Sequence, residues 1–275
     1  MTTATITPSS TQYATSADGT AIAHEVTGTG PALVCVDGAM CQRTLGPARD
    51  LAKALAGDFT VHVYDRRGRG ESDAGASPYH LDREIEDLQA VIDAVGGSAH
   101  VFAASSGAAL ALEAAGQGVA IDRLALYEAP FILDGTHAPN ALDLPEQMQA
   151  LVDTGRRGEA VKTFMRLVGV PAPFVGLMRV MPAWKKMTAV AHTLPYDLSI
   201  VVPQQQGRPL PEGRYAGVAP TTLVIAGGKS PDYMRNAQAR IAESVPDARL
   251  VTLNGQTHMI KAKATAPVIT GFFLN

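Results

Sequence analysis

The amino-acid sequence predicts an α/β fold, a mostly parallel sheet flanked by helices with an inserted helical lid. Three observations predict it. Short apolar runs of strand length alternate with stretches of helical periodicity. The alternation stops between residues 131 and 215 and then resumes. One strand runs through a serine directly into a helix of small residues.

The elements follow in order. Ala21–Val26 and Ala32–Val36 are the first well-marked strands. Pro47–Ala56 reads as a helix, because Leu51 and Leu55 stand four apart on one face. Phe59–Tyr64 is the next strand. Leu81–Ala94 places Leu81, Ile85, Leu88, Val91 and Ile92 at helical spacing. His100–Ala103 is a strand, Gly107–Gln117 an Ala- and Leu-rich helix, and Leu124–Tyr127 a further strand. From Phe131 to Tyr215 the chain is mostly helical. Strand Thr222–Ala226, helix Asp232–Val245, strand Arg249–Leu253 and a short helix near Pro267–Phe273 complete it. Strands separated by helices imply a parallel sheet covered on both faces. The expected organisation is a core of residues 1–130 and 216–275, with a helical lid over 131–215.

Composition narrows the function. The 275 residues suit one large domain with room for an insertion. Hydrophobic residues make up 46% and charged ones 18%, which favours a buried core over disorder. The net charge is −3 and no Lys/Arg stripe stands out, which argues against nucleic acid. The opening MTTATITPSSTQY has no basic segment followed by an apolar one, so no leader is expected. No apolar run reaches membrane-spanning length. A cytoplasmic protein without a membrane partner is expected, and a homodimer is left open. Cys35 and Cys41 make no disulfide framework. No metal-ligand spacing appears, and no cofactor is expected.

The most informative stretch is Val101-Phe102-Ala103-Ala104-Ser105-Ser106-Gly107. It has the setting of a nucleophile elbow, G-x-S-x-G, with Ala103 in place of the first glycine. The sharp turn needs small neighbours and lifts the Ser105 hydroxyl above the sheet. It also aims the Ser106 N–H at a developing oxyanion. A plain Ser-rich helix cap is the competing reading.

Three further signatures carry a resemblance to the α/β-hydrolase fold family over nearly the whole chain. Asp65-Arg66-Arg67-Gly68-Arg69-Gly70-Glu71-Ser72 resembles the family loop D-x-R-G-x-G-x-S. Val36-Asp37-Gly38-Ala39-Met40 stands where the family usually has His-Gly and its other oxyanion donor. His258 follows the last strand, where the family keeps its base. The resemblance implies a serine nucleophile, Ser105, a base, His258, and oxyanion donors from Gly38, Ala39 and Ser106. Of the seven histidines, His192 in the insertion is the runner-up base. Asp37 departs from the family pattern and is expected to point outward and hold its loop, since an acid beside an oxyanion is unfavourable.

The acid is open between two positions. Glu128 ends the strand before the insertion, from which a carboxylate can reach the base. Asp232 lies about two residues beyond the usual position after Thr222–Ala226. Glu128 is favoured. Asp37-Gly38, Ser105-Ser106-Gly107, Glu128 and Pro182-Ala183-Trp184 together resemble fungal zearalenone lactonases, a local likeness that suggests ester or lactone cleavage.

The insertion carries Met148, Met165, Met178, Met181, Met187 and Trp184. Adaptable apolar side chains suit a roof over an apolar substrate. Trp184, Met181 and Met40 are candidate substrate contacts, and plain packing accounts for any one of them equally. The predicted partner is a small apolar ester or lactone. C–C or thioester hydrolysis, a cyclase-type enzyme and a ligand-binding relative are the alternatives.

Overall fold

Alternation of side chains along the strands sorts them onto two faces of one sheet. The computed structural model describes residues 10–275. Residues 1–9, and with them most of the opening stretch expected to lack a leader, lie outside the described residues. The strands are β1 (Gln12–Thr15), β2 (Ala21–Thr27), β3 (Ala32–Val36), β4 (Thr60–Tyr64), β5 (Ala99–Ala104), β6 (Ile121–Tyr127), β7 (Thr221–Gly227) and β8 (Ala248–Leu253). Their order in the sheet is β1-β2-β4-β3-β5-β6-β7-β8. β2 pairs antiparallel with β1 and β4, and every other pair is parallel.

On one face, Val34, Val36, Val101, Ala103, Leu124, Leu126 and Val224 form a core with three helices. These are α2 (Leu81–Ala94), α3 (Ser106–Gly116) and α9 (Asp232–Ser244). On the other, Leu33, Cys35, Phe102, Ala104, Ala125, Leu223 and Ile225 meet α1 (Ala48–Leu55) and α10 (Ala262–Phe273). The odd–even split between Leu33/Cys35 and Val34/Val36 is the period of two that a two-sided sheet demands. Leu51 and Leu55 of α1 are fully buried, and each such side chain contributes about 1.5–3 kcal/mol.

Between β6 and β7 run five helices, α4 (Leu144–Asp153), α5 (Arg157–Leu167), α6 (Ala172–Met178), α7 (Ala183–Ala189) and α8 (Leu194–Val201). They have an apolar core of their own, with Met148, Val161, Met165, Val175, Met187 and Leu198, which Met40 joins from the loop after β3. α8 faces two ways. Leu194 and Leu198 belong to that core, while Ile200 and Val201 belong to the main one.

Two elements differ from expectation. β1 was not anticipated, because only Ala14 among its residues is buried and the apolar signal is a single side chain. α10 begins at Ala262 and carries Pro267 inside it. Pro267 and Lys263, whose carbonyl loses its helical donor, are both exposed, which keeps the cost of the missing bond low. Among the described residues no helix is long and apolar enough to cross a membrane.

Candidate active site

The carboxyl ends of the parallel strands collect the candidate residues on one edge, the usual place for a ligand in such sheets. Register explains the meeting. Ala104 pairs with Tyr127, and Tyr127 with Ile225. Ser105 and Glu128, one residue further, are therefore neighbours at the strand tips. The Ser105 N–H donates to the Tyr127 carbonyl (2.9 Å) and the Glu128 N–H to the Ile225 carbonyl (3.1 Å).

Three non-glycine residues have left-handed backbone, Met40 (φ 59°), Ser105 (φ 55°) and Glu128 (φ 47°). All three stand just past β3, β5 or β6. Such conformations cost about 1–3 kcal/mol each and persist where the surroundings over-determine them. Gly107 makes the turn after Ser105 feasible, since a Cβ there would lie 2.5 Å from the Val36 carbonyl oxygen. Gly38 is needed equally, because its Cβ would lie 2.7 Å from Ser105 Cβ.

His258 Nε2 lies 3.1 Å from Ser105 Oγ, and His258 Nδ1 lies 3.0 Å from Glu128 Oε2. The other Glu128 oxygen accepts the Gly227 N–H at 2.6 Å, and the side chain is fully buried. The Tyr127 hydroxyl donates to the Thr257 carbonyl at 2.7 Å and tethers the His258 loop to β6. One strand thus supplies both the carboxylate and the anchor of the imidazole. Asp232 is elsewhere, exposed at the start of α9 and paired with Arg235. His192 Nδ1 is 3.1 Å from the Ala189 carbonyl, a contact within the insertion.

The other side of Ser105 is ionic. Asp197 of α8 accepts the Ser106 hydroxyl (2.7 Å) and Arg66 Nη1 (2.8 Å) on Oδ1, and Arg69 Nη2 (2.6 Å) on Oδ2. Arg66 also makes two bonds to Glu84, at 2.5 and 2.8 Å, and reaches the Asp37 carbonyl at 3.4 Å. Arg69 donates to the Gly38 carbonyl at 2.8 Å and to Thr193 Oγ1 at 3.1 Å. Arg66, Arg69, Glu84 and Asp197 are all essentially sealed from solvent. Burial alone would raise the Asp197 carboxyl, but Arg69, Arg66 and the Ser106 hydroxyl outweigh it and hold it below its ordinary value.

Asp37 is buried, with Oδ2 facing the Gly46–Cys41 turn; a Cβ on Gly46 would meet it at 3.0 Å. Burial pushes this carboxyl up to about 7, against the pull of Arg69, the Ala48 N–H and Arg66. The family-like loop Asp65–Ser72 is a scaffold. Asp65 accepts from the Arg43 N–H and the Glu71 N–H, Ser72 donates to the Asp65 carbonyl, and Arg67 makes two bonds to Asp87.

Met40 is buried against the insertion's core. Trp184 is partly buried there too, its ring 3.6 Å from where a Gly158 Cβ would sit, and Met181 is half exposed. Among the described residues no three His, Cys, Asp or Glu side chains gather as metal ligands. Sequence reasoning missed Asp197. Its signal was a lone acid in the apolar stretch Leu194-Pro195-Tyr196-Asp197-Leu198, on the buried side of a helix.

Comparisons with known proteins agree with this architecture. The profile of the Alpha/beta hydrolase family matches residues 42–262. The crystal structure of an alpha/beta hydrolase from Sphaerobacter thermophilus DSM 20745 is 46% identical with a TM-score of 0.86, covering 95% of this chain and 100% of that one. A hydrolase from Pseudomonas aeruginosa PA01 is 24% identical, with a TM-score of 0.67 over 96% of this chain and 97% of that one. The enol-lactonase from Burkholderia xenovorans LB400 is 19% identical, with a TM-score of 0.69 over 96% and 100%. At such identities the last two show the fold alone. No curated protein matches the chain.

Proposed function

The chain belongs to the alpha/beta hydrolase family, and from that premise we propose that it is a serine hydrolase cleaving a carboxylic ester or lactone of an apolar small molecule. One observation carries the reading: the unbroken line from Ser105 Oγ through His258 to the buried Glu128, at 3.1 and 3.0 Å. In the proposed cycle His258 Nε2 takes the Ser105 proton while Oγ attacks the carbonyl carbon. Glu128 holds the Nδ1 proton in place and stabilises the imidazolium. Negative charge gathers on the former carbonyl oxygen, which accepts from the N–H groups of Ala39 or Gly38 and of Ser106. The latter is the first residue of α3, where N–H groups lack helical partners. A well-placed donor of this kind is worth about 3–4 kcal/mol. His258 then protonates the leaving alkoxide, and water, deprotonated by the same imidazole, releases the acid from Ser105. The chemistry calls for no metal or organic cofactor.

In this reading residues 131–215 act as a lid, and Met40, Trp184 and Met181 offer apolar contacts to the acyl or lactone portion. The half-exposed His258 beside a strained Ser105 suits a site that opens to a small-molecule substrate. The test is intact mass with peptide mapping after exposure to a small fluorophosphonate. A single adduct on Ser105, absent in His258→Ala, is the expected result. Folded wild-type protein that stays unlabelled and turns over no short-chain ester or lactone would remove the proposal.

A further inference from the structure

We infer that Asp197, on α8 of the insertion, is a positioning residue for the oxyanion site, acting on both proposed donors through Ser106 and Arg69. The inference rests on the serine-hydrolase reading and deepens it. Asp197 spans two connections, which Arg66 Nη1 joins more loosely by reaching the Ser106 hydroxyl at 3.3 Å and the Asp37 carbonyl at 3.4 Å. Through Oδ1 it holds the Ser106 hydroxyl at 2.7 Å, so it fixes the first residue of α3, whose N–H is one donor. Through Oδ2 it holds Arg69 at 2.6 Å, and Arg69 in turn donates to the Gly38 carbonyl at 2.8 Å.

The second connection works through peptide planarity. In a trans peptide the C=O and the following N–H point in opposite directions. Pinning the Gly38 carbonyl on Arg69 therefore turns the Ala39 N–H the opposite way and keeps it there. Gly38 lies against Ser105, with its Cβ position 2.7 Å from Ser105 Cβ, so the peptide being pinned borders the nucleophile. Arg66, held by Asp197 at 2.8 Å, reaches the Asp37 carbonyl at 3.4 Å and backs the preceding peptide in the same way.

Charge balance explains why an acid is required. Arg66 and Arg69 are buried side by side, and Glu84 answers only Arg66. Without Asp197, Arg69 would lose the one carboxylate that it is paired with among the described residues, in a place sealed from water. It would turn towards another acceptor and release the Gly38 peptide. The helix bearing Asp197 is packed into both cores, so the anchor cannot drift with the rest of the insertion.

The experiment compares wild type, Asp197→Asn and Ser106→Ala on a short-chain ester, with functional sites counted by fluorophosphonate titration. Asp197→Asn is expected to lower kcat per titrated site about 10- to 100-fold, less than outright loss of a donor, with KM within about twofold. The rate of Ser105 phosphonylation should fall in parallel, because that reaction uses the same donors. Ser106→Ala removes only the hydroxyl, keeps the N–H, and should show a smaller loss of the same kind. If Asp197 merely stabilises the fold, Asp197→Asn will have fewer titratable sites and a lower Tm, but unchanged kcat per site; that result overturns the inference and leaves the serine-hydrolase reading standing. Should Asp197→Asn fail to fold, Ser106→Ala decides, and wild-type kcat per site in it sinks the idea. A wild type that neither labels nor turns over ester takes both readings down together.

Discussion

On one side of Ser105 stands His258, its side chain 37% exposed and held by a single carboxylate. On the other stand Gly38 and Ser106, backed by two arginines and Asp197 that have at most 2% exposure. Under the proposed function, the difference follows from what each side has to do. A base must take up a proton, release it and admit water for the second half of a cycle, so it cannot be walled in. Donors to an oxyanion do no transfer. They are worth most when they are already aimed and cannot relax, which a dry, charge-balanced setting enforces. The backbone strain at Ser105 and Glu128 lies between the two, at the strand tips where both sides meet.

The comparison can be broken most severely on the base side. Glu128→Gln keeps the shape of the carboxylate but hydrogen-bonds the wrong imidazole tautomer, and kcat should fall about 10⁴-fold. Asp232→Asn, in an exposed pair with Arg235, should stay within about twofold. Steady-state kinetics on one ester checks both, and a reversed pattern would transfer the acid's role to Asp232.

A second substitution asks whether buried ions matter to the chemistry merely by being buried. Arg67 is as deeply buried as Arg66, but its bonds run to Asp87 and Asp18, away from Ser105. Arg67→Met leaves Asp87 uncompensated and should cost about 3–5 kcal/mol of stability in urea unfolding. Its kcat per titrated site should match wild type. An equal loss of kcat there would mean that the whole loop, not Asp197 in particular, governs the donors.

The smallest effect concerns a buried pair far from the site. His24 and His62 face each other across β2 and β4, with ring centroids 5.7 Å apart. Burial lowers both, taking His62 from its ordinary 6.5 to about 4, with His24 adding to the shift. Between those values the unfolded chain binds more protons than the folded one, so this group's contribution falls as pH falls. Asp37, raised by burial, works in the opposite sense over much of that range. The test is therefore differential: His62→Asn should flatten the acid side of a Tm-against-pH curve relative to wild type. Parallel curves would contradict it.

Much of this was legible in the sequence, for physical reasons. Central strands such as Ala32–Val36 are apolar throughout, and α2 presents its apolar side chains at helical spacing, so period and length identify them. Ser105 and Glu128 directly follow strands and His258 stands in the loop after β8, and parallel strands bring such positions to one edge. β1 escaped because one buried alanine makes no pattern. Asp197 escaped because its partners, Arg66 and Arg69, lie 131 and 128 residues away in the chain. Long-range ion pairing leaves no periodic trace. The arginines themselves stood in plain view within Asp65–Ser72, but their role needs the fold. The direction of Asp37 follows from α1 and the Gly46 turn, which no local motif announces.

The double allegiance of α8 has a consequence for exchange of parts between relatives. Helices α4 to α7 share their apolar core with Leu194 and Leu198 of α8, while the bonds to Ser106 and Arg69 come from Asp197 and Thr193. These helices can be exchanged as a unit only if the apolar side chains that face α8 are kept. The splice must lie before Thr193, whose hydroxyl holds Arg69, so that Thr193 and all of α8 stay with the recipient. A chimera cut at residue 190 would take α4 to α7 from its relative and keep its own Thr193 and Asp197 on Arg69. One cut after Val201 would bring in a foreign keystone, and the arch over Ser105 would have to be refitted around it.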